Sequence, residues 1–177
     1  LLSSSIKRYV DLFGVACGEK NIFFTNNDSA YETAISLIQK GINIEAIIDN
    51  REEVDSRLVY EVEKNNIKIF KGFTVTDTGG YKRIKRISIM QLSKDGQKVI
   101  GSKINLFCDC LGVSGGWTPA VHLFTQSGGK LRFRDEDQTF IPDSYPSDQL
   151  SIGACNGDLT LDEILNNVPE ILKNFLN

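Results

Sequence analysis

Apolar positions recur along this chain in two alternating rhythms. Residues 5 to 13, SIKRYVDLF, place Ile6, Tyr9, Val10 and Phe13 at i, i+3, i+4 and i+7, one face of a helix, with Ser5 as cap and Gly14 as stop. The run NIFFT is compact and apolar enough for a buried strand. SAYETAISLIQKG then returns to the helical period through Ala30, Ala34, Leu37 and Ile38, with Gly41 just past its end. A second strand, IEAIID, is followed by a helical stretch over residues 52–65 through Val54, Leu58 and Val62, and by a third strand, IKIFKGF. Strand and helix alternating in this way imply right-handed crossovers and a parallel sheet.

From residue 82 the period changes. KRIKRISIMQL carries Ile84, Ile87 and Ile89 among basic residues, and SKDGQ offers a turn before KVIGSKINLF, so an antiparallel hairpin or meander is expected with KRIKR (82–86) on its wet face. INLFCDCLGV reads as one buried strand that ends in the glycine-rich turn SGGWTP. The last third predicts two short extended pieces and then a helix opened by Thr160, with Glu163 three residues on as a capping box and Pro169 as a kink or break.

Composition narrows the choices. At 177 residues and 41% hydrophobic content the chain is long enough for one good core, or for one and a half lobes cut from something larger. Twenty basic against 23 acidic residues give a net charge of -3, with no basic block suited to nucleic acid or an anionic membrane, so neither is expected as a partner. No apolar run approaches the roughly 20 residues of a membrane span. The start, LLSSSIKRY, has no secretory layout and reads as excised from a longer chain. Cys17, Cys108, Cys110 and Cys155 show neither zinc nor CxxC spacing, which favours reduced thiols in a cytoplasm and no metal. Cys108 and Cys110 lie two apart, so one strand would point both to a single face, as packed small hydrophobes or, less simply, as a catalytic pair. His122 lacks a partner at a catalytic spacing and reads as packing or hydrogen-bonding; Trp117 could stack on a cofactor ring or plug an interior.

The stretch from residue 22 to 50 has the order of a dinucleotide-binding unit, but Thr25, Asn27 and Ala30 stand where the fingerprint glycines would be. Ala30 is acceptable at the third position. Thr25 and Asn27 bring side chains into the space of phosphate oxygens, and Asp28 is expected to use the free N–H groups at the helix start, helped by a Ser29–Glu32 capping box. Asp49, about 20 residues after the turn, matches the acid that holds a ribose hydroxyl, although an acid there also commonly begins a loop or caps a helix. The expected outcome is Rossmann architecture without conventional pyrophosphate binding.

The order strand, turn, helix, strand, meander, CDCLGVSGGWTPAVHLF, then SIGACNG before a capped helix resembles the pyridine nucleotide-disulfide reductase superfamily. FTNNDSAYETA, GVSGGWTPAVHLFTQSGGKLRF and IGACNG resemble, more narrowly, the α subunits of heterotetrameric sarcosine oxidases. The resemblance implies an α/β, Rossmann-like three-layer domain with a parallel sheet and an antiparallel meander over residues 1–128, and over 129–177 a return segment to a first NAD-binding domain. It implies a fragment of an oxidoreductase converting sarcosine to glycine, with the methyl carbon passed to tetrahydrofolate or released as formaldehyde and hydrogen peroxide formed. NAD would be held by the α subunit, with most of its ligands outside this chain; FAD and FMN would belong to the full complex and not to this fragment, and the partners would be β, γ and δ subunits.

Within this frame Gly153, Ala154, Asn156, Gly157, Leu159 and Thr160 form the expected closing wall of the NAD site, with no catalytic residue in the fragment. Related flavoproteins end the segment in Gly-Asp; Gly153-Ala154 lacks that acid, which argues against an ordinary FAD, while Gly153 and Gly157 let backbone approach a ligand and the helix start suits an anion. A plain tight turn closed by Gly157 and Thr160 explains the same residues, as does a scaffold that only presents surface to other subunits. An active NAD(P)H-dependent flavoprotein reductase module would need the intact glycine turn that is missing.

Overall fold

The computed structural model describes residues 1–146 and 149–176. They form two compact units, Leu1–Gly116 and Trp117–Asn177, so the observed division precedes Trp117 and the expected boundary after residue 128 lies inside the second unit.

In the first unit β1 (Asn21–Thr25) pairs in parallel with β2 (Ile44–Asp49) on one side and with β7 (Cys110–Ser114) on the other. β3 (Lys68–Lys71) continues the sheet to the order β3-β2-β1-β7. Helices α1 (Ser3–Phe13), α2 (Ser29–Ile38) and α3 (Ser56–Glu63) pack on one face, closing a core around Ile6, Phe23, Tyr31, Leu37, Ile47 and Val62. Against Ile22, Ala46 and Ile48 on the other face lie Ile87 and Ile89 of an antiparallel sheet of β4 (Phe73–Gly80), β5 (Ile84–Leu92) and β6 (Val99–Phe107). The expected Rossmann-like three-layer α/β architecture with a parallel sheet and a meander is therefore present.

Several local expectations change. α1 begins at Ser3 and buries Ile6, while Tyr9 and Phe13 stay exposed with their rings 6.0 Å apart; Gly14 (φ 63°) closes it, its N–H donating to the Val10 carbonyl at 3.1 Å and the Val15 N–H to the Tyr9 carbonyl at 3.2 Å. α3 starts only after Asp55, whose carboxylate accepts from the Arg57 N–H at 2.7 Å. The meander begins at Phe73, because Gly72 (φ 69°) turns the chain out of β3 and the β-branched residues Thr74, Val75, Thr76 and Thr78 extend it. INLFCDCLGV is two strands: β6 ends at Phe107, and the Asp109 carboxylate fixes the bend by accepting from the Lys20 N–H at 2.8 Å and the Glu19 N–H at 3.0 Å. Cys108 and Cys110 consequently enter opposite faces of the parallel sheet, each as a packed thiol. Exposed Lys82, Arg83 and Lys85 make KRIKR the wet part of the meander, as expected.

The second unit contains α4 (His122–Gln126), a hairpin of β8 (Lys130–Arg134) and β9 (Thr139–Ser144), a tight 3₁₀ turn (Gly153–Asn156) and α5 (Leu161–Leu176). Buried Phe124 meets the Tyr145 ring edge-to-face at 5.0 Å, and a Cβ on Gly129 would lie 2.3 Å from the Phe124 ring, so only glycine fits there. α5 runs as one helix through Pro169 instead of breaking.

Candidate functional site

The chain leaves β1 for β2 on one side and returns as β7 on the other, which makes the carboxyl end of β1 a topological switch point, the place where open α/β sheets bind ligands. Thr25, Asp49 and Ser114 stand abreast there. The crevice is filled by the protein itself. The Asn27 N–H donates to Thr25 Oγ1 at 3.0 Å, and that hydroxyl donates to the Asn27 carbonyl at 2.9 Å. The Asn27 amide donates to the Ser114 carbonyl at 3.0 Å, while its Oδ1 accepts from the Ser29 N–H at 3.2 Å and from the hydroxyls of Ser29 and Ser114.

Asp28 does not cap α2. Its carboxylate instead pairs with Arg51 at 2.7 Å, and the expected Ser29–Glu32 box does not form because Asn27 already takes the Ser29 N–H. Arg51 also saturates Asp49, whose fully buried carboxylate accepts from the Arg51 N–H at 2.9 Å, Nε at 3.1 Å and Nη2 at 2.9 Å. The Asp49 carboxylate drives the guanidinium's pKa further up, and burial followed by the charge of Asp49 raises that of the Tyr31 hydroxyl. A ribose could reach Asp49 only by displacing this arginine. The residues of the first crevice therefore do not fit a dinucleotide in the usual pose, and Arg51 is the component that pattern reading missed; its position two residues after a strand-end acid was the available signal.

In the second unit the six expected wall residues are brought together on the turn that enters α5. Gly153 (φ 71°) and Gly157 (φ 95°) both hold left-handed backbone, and a Cβ on Gly157 would lie 2.9 Å from Ile141. Ala154 is exposed, Leu159 is 40% exposed, and the Gly157 carbonyl accepts from Arg134 at 3.1 Å. The Thr160–Glu163 capping box forms: Glu163 accepts from the N–H groups of Thr160 at 2.9 Å and Leu159 at 3.1 Å, and Thr160 Oγ1 accepts from the Glu163 N–H at 3.3 Å. With these donors taken by a carboxylate, and Asp162 beside it, the start of α5 is not the open anion site expected from the sequence. Asn156 Oδ1 accepts from the Tyr145 hydroxyl at 2.8 Å beside a cavity of about 420 Å³ bordered by Leu150, Ile171 and Phe175.

Trp117 and His122 are exposed. Among the described residues no metal-ligating cluster of His, Cys, Asp or Glu occurs, and no helix is long and apolar enough to cross a membrane.

No protein-family model matches the chain. Among curated proteins it is 30% identical over 159 residues to one from Corynebacterium sp. (strain P-1), and 29% identical over 157 residues to one from Corynebacterium sp. (strain U-96). Both are named sarcosine oxidase subunit alpha. A third protein of that name, from Rhizobium meliloti (strain 1021), is 27% identical over 157 residues. The matches take in 87–89% of the chain but only 14–16% of each relative, so the chain resembles one segment of an oxidoreductase subunit. Among solved structures, the HOCl-induced flavoprotein disulfide reductase RclA from Escherichia coli matches with a TM-score of 0.60 over 91% of this chain and 36% of that one, at 12% identity. Thioredoxin reductase from T. acidophilum gives 0.56 over 89% and 53%, at 16% identity. L-Proline dehydrogenase from P. horikoshii gives 0.52 over 95% and 31%, at 17% identity. These likenesses concern the fold alone and bear out the expected Rossmann-like α/β architecture.

Proposed function

We propose that this chain is the part of a sarcosine oxidase α subunit in which a nucleotide-type domain has lost its own ligand and the segment after it closes a dinucleotide site built elsewhere in the subunit. The observation that carries the reading is the similarity to three sarcosine oxidase α subunits along nearly the whole chain, joined to a first crevice occupied by Asn27 and Arg51. The ligand is NAD, met by Gly153, Ala154, Asn156, Gly157, Leu159 and Thr160. Exposed Ala154 leaves the outer side of the turn open to close approach, while the left-handed glycines shape the turn against Ile141 and Ile164. FAD and FMN belong to the assembled complex with β, γ and δ subunits, which oxidises sarcosine to glycine, passes the methyl carbon to tetrahydrofolate or releases it as formaldehyde, and forms hydrogen peroxide. This chain supplies no catalytic residue to that reaction.

The experiment is NAD binding to the full-length α subunit carrying Asn156→Ala or Gly153→Val. Weaker binding with the assembly intact supports the wall. Unchanged binding in both supports a second reading, a scaffold without ligand contact, which the carboxylate-filled start of α5 favours.

A further inference from the structure

Asn156 is held differently from Thr160, the other polar side chain of the wall. Its carbonyl oxygen accepts one hydrogen bond, from the Tyr145 hydroxyl at 2.8 Å, across a separation of eleven residues. A carboxamide oxygen accepts through two lone pairs and its nitrogen carries two N–H donors, so a bond to the oxygen restrains the amide from that end and leaves both donors available. Tyr145 is itself immobilised. Its ring packs edge-to-face on buried Phe124 at 5.0 Å, and burial keeps the hydroxyl protonated beyond its ordinary range, so it remains a donor. Thr160 gives its N–H to the Glu163 carboxylate, and its Oγ1 accepts from the Glu163 N–H in the helix cap. Asn156 is half-buried and borders the cavity of about 420 Å³ beside α5, which Tyr145 and Ser151 also line.

We infer that Tyr145 is a positioning residue: by holding Asn156 Oδ1 it aims the two amide N–H groups at an acceptor-rich ligand, a carbonyl, ribose or phosphate oxygen of the dinucleotide. Orienting an amide before binding removes an entropic cost that the ligand would otherwise bear. The inference rests on the proposed wall and adds the device that sets its donor geometry.

The test is a double-mutant cycle on the full-length α subunit in its assembly, with NAD as the probe and thermal unfolding followed alongside. Tyr145→Phe keeps the ring on Phe124 and removes only the hydroxyl. It is expected to weaken NAD binding about threefold to tenfold, the range of one hydrogen bond. Asn156→Ala should weaken it at least as much, and Tyr145→Phe added to Asn156→Ala should cause no further loss. A loss from Tyr145→Phe that persists undiminished in the Asn156→Ala background marks a merely structural role and overturns the inference. So does unchanged affinity in Tyr145→Phe when Asn156→Ala is weakened. Unchanged affinity in Asn156→Ala and Gly153→Val removes the wall itself, a separate failure.

Discussion

Arg51 grips Asp49 through its own N–H, Nε and Nη2, all within 3.1 Å of a carboxylate that is fully buried at the end of β2. The same guanidinium reaches Asp28 at 2.7 Å, at the entrance to α2, so one side chain ties the ends of two crossovers together. This ion pair stands where a nucleotide unit keeps a ribose.

Removing the Arg51 side chain leaves buried Asp49 without its ion-pair partner, still holding the backbone N–H of residue 51. Arg51→Ala should cost about 2–3 kcal/mol in urea unfolding, below the value for a fully buried pair because the arginine is part-exposed. Adding Asp49→Asn should recover part of that loss, since the orphaned charge is then gone.

Asn27 is the centre of the network that fills the turn. Asn27→Ala removes bonds to Ser29 and to both the carbonyl and hydroxyl of Ser114, and should lower stability by about 1–3 kcal/mol. NAD should not gain a site in this variant, because Arg51 still occupies Asp49; titration of the purified variant with NAD checks this.

Gly112 lies where β7 meets α1. A Cβ there would come within 2.6 Å of the Phe23 ring and 2.9 Å of Ile6, so Gly112→Ala should destabilise the first unit by about 1–3 kcal/mol in chemical denaturation, through overpacking.

The thiols separate by burial. Burial pushes Cys108 up and Cys110 up to about 11, so at pH 8 both should resist alkylation in the folded chain, with half-exposed Cys17 and Cys155 labelled first. Mass spectrometry of a labelling time course reads the order. Because the folded pKa of Cys110 lies above its ordinary value near 9, its stabilising contribution is full below pH 9 and is lost as pH rises toward 11.

Periodicity was enough for β1, α2 and β2, since Phe23, Ala34, Leu37 and Ile47 obey a spacing that needs no distant partner to be recognised. It failed at Cys108–Cys110, where a continuous apolar run hides a bend held by hydrogen bonds from Glu19 and Lys20, roughly 90 residues away. It also missed β4, whose threonines and glycines carry little apolar contrast.

At the candidate site, the replacement of the fingerprint glycines by Thr25 and Asn27 was visible along the chain and already argued against a diphosphate. The agents that fill the space were not. Local rules assigned Asp28 to its own helix, but the approach of β2 brought Arg51 to it, and an ion pair won over a cap. Sequence by itself determined the alternating architecture, the glycine loss and the Thr160–Glu163 cap, because each depends on neighbours within a few residues. Only the tertiary structure decided that Arg51 would seal the crevice and that Tyr145 would hold Asn156, because hydrogen bonds between loops depend on where strands and helices bring them together.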